Sequence, residues 1–205
     1  MWRTLSYFDE HGKKIRHLQV ERKEQILAEQ YIQPDDCVLE LGARYGTVSC
    51  VINKKLNDKT RQVSVEPDER VWAALESNKT RNTCFFHIVK GFISRKQLGL
   101  QELEDWNGYG TSSVEDTTST IPSYTLEEIE SQYGLRFTVL VADCEGYLET
   151  FLDENPTLLD RLRCVIFEKD KPKVCNYTKI KDLLRQKGFR QEVKLFREVW
   201  IRDEN

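Results

Sequence analysis

The chain has 205 residues, 31 lysines and arginines against 34 acidic residues, and a formal net charge of -3. That length suits one domain with a full-sized core, and the near balance of charge excludes a polyanion-binding surface at the whole-chain level, so nucleic acid is a poor partner. No run of about 18 apolar residues is present to insert in a membrane, and Met1 to Tyr7 lacks the apolar centre of a secretory leader, so a soluble, cytoplasmic protein is expected. The six cysteines form no C-x-x-C pair and read as small core residues in a reducing compartment. Cys144 stands between two acids, which disfavour a thiolate and argue against a nucleophile.

Residues 1–18, with His11, Gly12-Lys13-Lys14 and His17, carry little periodic signal and read as an N-terminal arm. Val20, Ile26, Leu27 and Tyr31 then have helical spacing, and Gln33-Pro34-Asp35-Asp36 breaks the helix. A first strand over 37–41 is a short apolar run of the kind covered on both faces, with a single acid, Glu40, inside it. It runs into Gly42-Ala43-Arg44-Tyr45-Gly46, a turn that opens a helix from Thr47. Amides at such a turn make a seat for an anionic or hydroxyl-rich ligand. The spacing is E-x-G-x-x-x-G, so the dinucleotide fingerprint G-x-G-x-x-G is half met, and an ordinary turn with glycines for geometry is the alternative.

The second strand, 62–66, ends in Glu66 before Pro67 stops it. Glu66 lies about 20 residues past Gly46, where a nucleoside-binding α/β fold places the carboxylate that accepts both ribose hydroxyls. A helix over 68–77 carries Val71, Trp72 and Leu75, and a third strand spans 83–89. His87 inside it reads as a hydrogen-bonded structural group, and Gly91-Phe92-Ile93 beyond it could wall an adenine. Residues 98–122 are long, polar and glycine-interrupted, with Trp106, Tyr109 and Ser112 as acceptor-binding candidates. The stretch is either a surface loop or a lid that recognises an acceptor.

A short helix at 125–129 precedes Gly134, and a fourth strand over 136–143 ends in Asp143-Cys144-Glu145-Gly146. Carboxylates at the end of a buried strand are costly unless something uses them. After a helix over 147–154, a fifth strand over 163–168 ends in Glu168. The acids of four strands would converge on one crevice beyond their carboxyl ends. Lys169-Asp170-Lys171-Pro172-Lys173 is a solvated loop or, through Lys169, an attractor of a phosphate-bearing acceptor. An amphipathic helix over 177–187 is capped by Gly188, and 189–192 with 199–201 form a closing hairpin. The expected fold is therefore a single Rossmann-like α/β domain over 1–205: a doubly wound, mostly parallel, seven-stranded sheet with helices on both faces and an antiparallel C-terminal strand.

Leu39-Glu40-Leu41-Gly42-Ala43-x-x-Gly46, Val65-Glu66-Pro67, Tyr124-Thr125-Leu126-Glu127-Glu128 and Val141-Ala142-Asp143-Cys144-Glu145-Gly146, in this order, resemble the class I S-adenosylmethionine-dependent methyltransferases. More narrowly, they resemble the FkbM type of O-methyltransferase. The resemblance implies that Gly42 and Gly46 face the methionine end of the cofactor, Glu66 the ribose, the Gly91 to Ile93 turn the adenine, and Asp143 the place where donor meets acceptor. Arg44 stands where the family usually has Asn, and Leu148 where it usually has an acid. Family members often act on sugar hydroxyls, so the implied acceptor is a sugar or glycan. The length also allows the chain to be a module of a larger glycosyltransferase-containing polypeptide.

A sulfonium donor is already activated, so the chain must align an oxygen nucleophile and help it lose a proton. Either a carboxylate takes that proton, or a divalent cation, Mg²⁺ or Mn²⁺, lowers the hydroxyl's pKa. Asp143 and Glu168 occupy places where catechol-type methyltransferases keep acidic metal ligands, with Glu145 as a further ligand or the base. The competing readings are a nicotinamide-dependent oxidoreductase, whose fingerprint fails at Arg44; an adenine or cytosine N-methyltransferase, which would want Asn or Asp followed by Pro-Pro and an aromatic where this chain has Asp143-Cys144-Glu145-Gly146; a methyltransferase for another small-molecule or protein acceptor; and a nucleotide-binding module without catalysis.

Overall fold

The computed structural model describes residues 2–19, 21–101 and 111–202. Seven strands form its central sheet: β1 Val38–Leu41, β2 Gln62–Glu66, β3 His87–Lys90, β4 Val139–Ala142, β5 Cys164–Glu168, β6 Arg190–Lys194 and β7 Arg197–Ile201. They lie in the order β6-β7-β5-β4-β1-β2-β3. β1 to β5 pair in parallel, and β7 runs antiparallel to both β5 and β6. Every residue of β1, β2 and β4 is buried, as strands covered by helices on both faces require.

The pleat divides these residues between two layers. Val38, Val139, Val141, Cys164 and Ile166 pack with helices α1 (Arg22–Tyr31) and α2 (Thr47–Lys55) through Ala28, Val51 and Ile52. Leu39, Leu41, Leu140, Val165 and Phe167 face the other way. There they meet α4 (Leu126–Tyr133), α5 (Leu148–Glu154) and α6 (Tyr177–Gln186) through Ile129, Phe151 and Ile180. Helix α3 (Trp72–Arg81) extends the first layer, its Leu75 packing with Cys50 and Phe86. The order reverses between β1 and β4, one strand sending its chain to β2 and the other to β5, and a crevice opens beyond their carboxyl ends.

Local signals explain most element ends. Thr125 accepts a hydrogen bond from the Glu128 amide while Glu128 accepts one from the Thr125 amide, and Gly134 closes α4 in the left-handed region, which is a capping box with a glycine stop. At the amino ends of the strands, Arg163 Nε donates to Asp36 Oδ1 at 2.6 Å and Thr138 Oγ1 accepts from the Cys37 amide at 2.9 Å, which holds β1, β4 and β5 level.

The structure departs from the expectations in three places. The third strand starts at His87 and not at 83, because Thr83 takes a positive φ of 52° and the Cys84 amide still donates to Lys79 O of the helix end. The N-terminal arm is a docked ribbon: Tyr7–Phe8 pairs with Lys14–Ile15, and Asn78 of α3 and Asn82, which caps its carboxyl end, read its backbone, each donating to and accepting from one residue, Phe8 and Ser6. Tyr7 is fully buried there and donates to Thr47 O at 3.2 Å. In the 98–122 stretch, Leu98–Gln101 and Ser112–Glu115 form an antiparallel hairpin. Trp106 and Tyr109, like Val20, lie outside the described residues.

Gly42 ties the two halves of the sheet together. Its φ is +86°, and a Cβ there would sit 1.8 Å from the Asp143 carbonyl oxygen. Gly42→Ala therefore combines a left-handed backbone strain with a clash against a second strand's backbone, and should lose about 3 kcal/mol or more in urea unfolding; an unchanged midpoint would show that the two turns are not in contact.

Candidate active site

The turn after β1 is built by backbone donors. Gly42 N and Ala43 N both donate to Val65 O at 3.0 Å, so the chain leaving β1 is laid across the end of β2. Arg44 has a positive φ of 42° and Gly46 one of 77°. This conformation turns the Arg44 amide onto Glu66 Oε2 at 2.6 Å, while the Asp68 amide reaches Glu66 Oε1 at 2.8 Å. Glu66 is thus a carboxylate with each oxygen fixed by one amide and further acceptor capacity on both. Burial pushes its pKa up to about 7 against the pull of those two amides.

In front of it lies a hollow of about 110 Å³. Gly42, Arg44, Glu66, Pro67, Gly91, Phe92, Ile93, Asp143 and Glu145 line it together with Glu21, Asp68, Cys144 and Tyr147. The ribose, adenine and donor-end candidates therefore share one space. The hairpin closes one side through Leu100, Thr111 and Ser113. Ser112 is not among the lining residues, as alternation along a strand predicts for the residue between them.

A second hollow of about 30 Å³ adjoins the first, with Glu21, Leu41, Gly42 and Asp143 lining both. Glu40, Ala43 and Glu168 face this smaller space, so the four strand-end acids divide between two neighbouring hollows joined at Asp143. Glu40 is 2% exposed and accepts from Ser64 Oγ at 2.5 Å. Burial raises its pKa to about 7, with the nearby Ser49, Ser64 and Gln62 side chains opposing. It ties β1 to β2 two residues before the turn at Gly42. Tyr45 and Gly46 line neither hollow: Tyr45 is buried under the docked ribbon, its hydroxyl donating to Glu10 at 2.5 Å, and a Cβ added at Gly46 would come within 2.8 Å of the Leu75 side chain.

Asp143 is held up to about 7 by burial and then by the Asp170, Glu24 and Glu145 carboxylates, with Arg197 opposing. Glu168 is pushed up to about 9, by burial and then by Asp143, and pairs with Arg197 Nη2 at 2.8 Å. Glu145 turns away to Lys171 Nζ at 3.2 Å. The carboxyl that joins Asp143 and Glu168 is instead Glu24, and one oxygen from each of the three lies within 4.8 Å of the others. Lys169 is engaged by the buried Glu198 at 2.7 Å. The Cys144 thiol is raised well above its usual range by burial and by the acids around it, which leaves it a poor nucleophile.

Glu21, Glu24 and Arg197 escaped the sequence reading. Glu21 has φ 39° just before α1 and accepts from Thr47 Oγ1, and burial raises its pKa to about 8. Glu24 sits in the first turn of α1 and bonds Arg197 at the start of β7. No local spacing signalled them: Glu21 lies outside the helix in a left-handed turn, and Glu24 finds its partner only through the packing of α1 on β7.

No family model matches the chain, and no characterised protein matches it by sequence. Among solved structures it resembles a precorrin-6y C5,15-methyltransferase from Geobacter metallireducens, with a TM-score of 0.59 and 13% identity over 92% of each chain. It also resembles a ribosomal protein L11 methylase from Lactobacillus delbrueckii subsp. bulgaricus, with a TM-score of 0.50 and 14% identity over 97% of this chain and 82% of that one. An O-methyltransferase from Bacillus cereus in complex with SAH gives a TM-score of 0.52 and 12% identity over 90% and 81%. Identities this low establish the fold: the chain has the Rossmann-like architecture found in class I methyltransferases, antiparallel last strand included. No helix among the described residues is long and apolar enough to cross a membrane.

Glu40 and Glu66 have an ordinary value of 4.5 and keep their protons in the fold up to about 7. Their contribution to stability is present below the unfolded value and is lost as pH climbs through the folded one. The unliganded protein should therefore unfold at higher urea at pH 5.5 than at pH 8.5, and Glu40→Gln should shrink that difference. A midpoint that rises with pH over this range would contradict the assignment.

Proposed function

We propose that the protein is an S-adenosylmethionine-dependent O-methyltransferase that acts on a hydroxyl of a sugar or glycan. The observation that carries the reading is Glu66, held by the Arg44 and Asp68 amides at the edge of a hollow that Asp143 also enters. The order of motifs along the chain, resembling the FkbM type, supports an oxygen acceptor. The neighbour that is an O-methyltransferase in complex with SAH supports the same cofactor class.

The residues present suit that cofactor. Glu66 offers acceptor capacity to a ribose diol, Gly91, Phe92 and Ile93 offer an apolar wall, and Asp143, ionised above about pH 7, offers negative charge to a sulfonium. When bound, the cofactor supplies a methyl group already activated for transfer to oxygen. The chain's own work is to orient the acceptor hydroxyl and take its proton. Asp143, with a pKa near 7, is placed to accept that proton near neutral pH. Glu145, paired with Lys171, is better suited to orienting the acceptor at the same rim.

A divalent cation is a second reading, favoured by the three carboxyl oxygens of Glu24, Asp143 and Glu168. Their hard oxygen chemistry suits Mg²⁺ or Mn²⁺. Against it, Arg197 already bonds both Glu24 and Glu168 and supplies the cluster with a cation of its own.

S-adenosylmethionine should bind in calorimetry and NAD should not, and Glu66→Ala should weaken the former about 10- to 100-fold, as loss of hydrogen bonds to a charged acceptor implies. Binding of NAD in its place would point to an oxidoreductase. Asp143→Ala should abolish transfer of labelled methyl to a panel of sugars while cofactor binding persists; unchanged turnover would remove Asp143 from the chemistry. Transfer lost on adding a chelator and restored by Mg²⁺ or Mn²⁺ would establish the cation.

A further inference from the structure

We propose that the acceptor carries a protonated amine and that this ammonium group seats in the second hollow among Glu24, Asp143 and Glu168. The inference rests on the methyltransferase reading for what happens next door, and on its own geometry for the amine. Three carboxyl groups share the single Arg197 guanidinium, which bonds Glu24 and Glu168 and leaves Asp143 without an ion-pair partner among the described residues. Glu24 is 8% exposed, and its Oε2 is buried without a hydrogen-bond partner. A buried acceptor left unmade is costly, which marks a place for a donor.

Size and surroundings narrow the donor's identity. A space of about 30 Å³ accommodates one water-sized group. An ammonium head meets that limit and brings three N–H donors for three carboxylates; a guanidinium or phosphate exceeds it. Leu27, Val48, Val141 and Ile166 form the apolar part of the wall, so charge attraction there is screened less than at the surface. Asp143 lines both hollows. An amine held on one side of it leaves a neighbouring hydroxyl on the other, which fits an amino sugar or another amino alcohol.

The same arrangement disfavours a phosphate-bearing acceptor. Lys169 and Lys171 are engaged by Glu198 and Glu145, Arg197 is held by Glu24 and Glu168, and an added anion would meet Glu24, Asp143 and Glu168.

Calorimetric titration of the full chain, saturated with S-adenosylhomocysteine at pH 7 and low salt, tests the proposal with glucosamine, glucose and glucose 6-phosphate as probes. Glucosamine should bind at least tenfold more tightly than glucose, and glucose 6-phosphate no better than glucose. Glu24→Gln should close the gap to within about twofold, whereas Glu29→Gln, on the exposed side of α1, should leave it intact. Equal binding of the two neutral-backbone sugars, absence of glucosamine binding, or preference for the phosphate would overturn it. Mn²⁺ binding that depends on Glu24, with no preference for glucosamine, would overturn it in favour of a metal site. Failure of S-adenosylhomocysteine to bind would sink the methyltransferase reading alone, and the same glucosamine titration on the unliganded chain would then decide the amine proposal.

Discussion

The close approach of two backbones at Gly42 and Asp143 is the constraint on which the site depends. With the Asp143 amide donating to Leu41 O at 3.0 Å and the Asp143 carbonyl filling the space a Cβ would take, β1 and β4 stay in contact one residue beyond their ladder. Each chain then turns away from the other. The Gly42 and Ala43 amides are spent on Val65, and the next amide, that of Arg44, is aimed at Glu66. One glycine thereby links the packing of the sheet to the placement of Glu66 at the edge of the hollow.

A second consequence is electrostatic. Strands covered on both faces deliver their last side chains to a single rim, and here those include Glu66, Asp143 and Glu168, with Glu21 and Glu24 brought over them by α1. Burial and mutual repulsion hold protons on several of these groups around neutral pH. A fold that keeps such groups close gives up stability that a positively charged ligand restores. Arg197 supplies part of that compensation from the antiparallel strand, which gives β7 a role at the site beyond closing the sheet.

Much of the fold was legible because the strands are short apolar runs bounded by turn residues. β2 was read to its ends, since Glu66-Pro67 stops it, whereas the helix read over 125–129 runs on to Tyr133 before Gly134 ends it. The third strand was read too early because Cys84 to Phe86 look strand-like while the backbone there still finishes α3. Among site residues, Glu66, Pro67, Gly91 and Asp143 were legible because a strand end announces them. Glu40 was legible as an acid and not as a brace, since its partner Ser64 lies on another strand. Glu24 and Arg197 are 173 positions apart and meet only through tertiary packing, so no local pattern could pair them.

The most direct measurement is a crystal structure of the protein with S-adenosylhomocysteine bound. The account predicts both ribose hydroxyls within hydrogen-bond distance, about 3 Å, of the Glu66 carboxylate, and the sulfur on the Asp143 side of the hollow. A nucleoside that avoids Glu66, or that binds away from the carboxyl ends of β1 and β4, would contradict it.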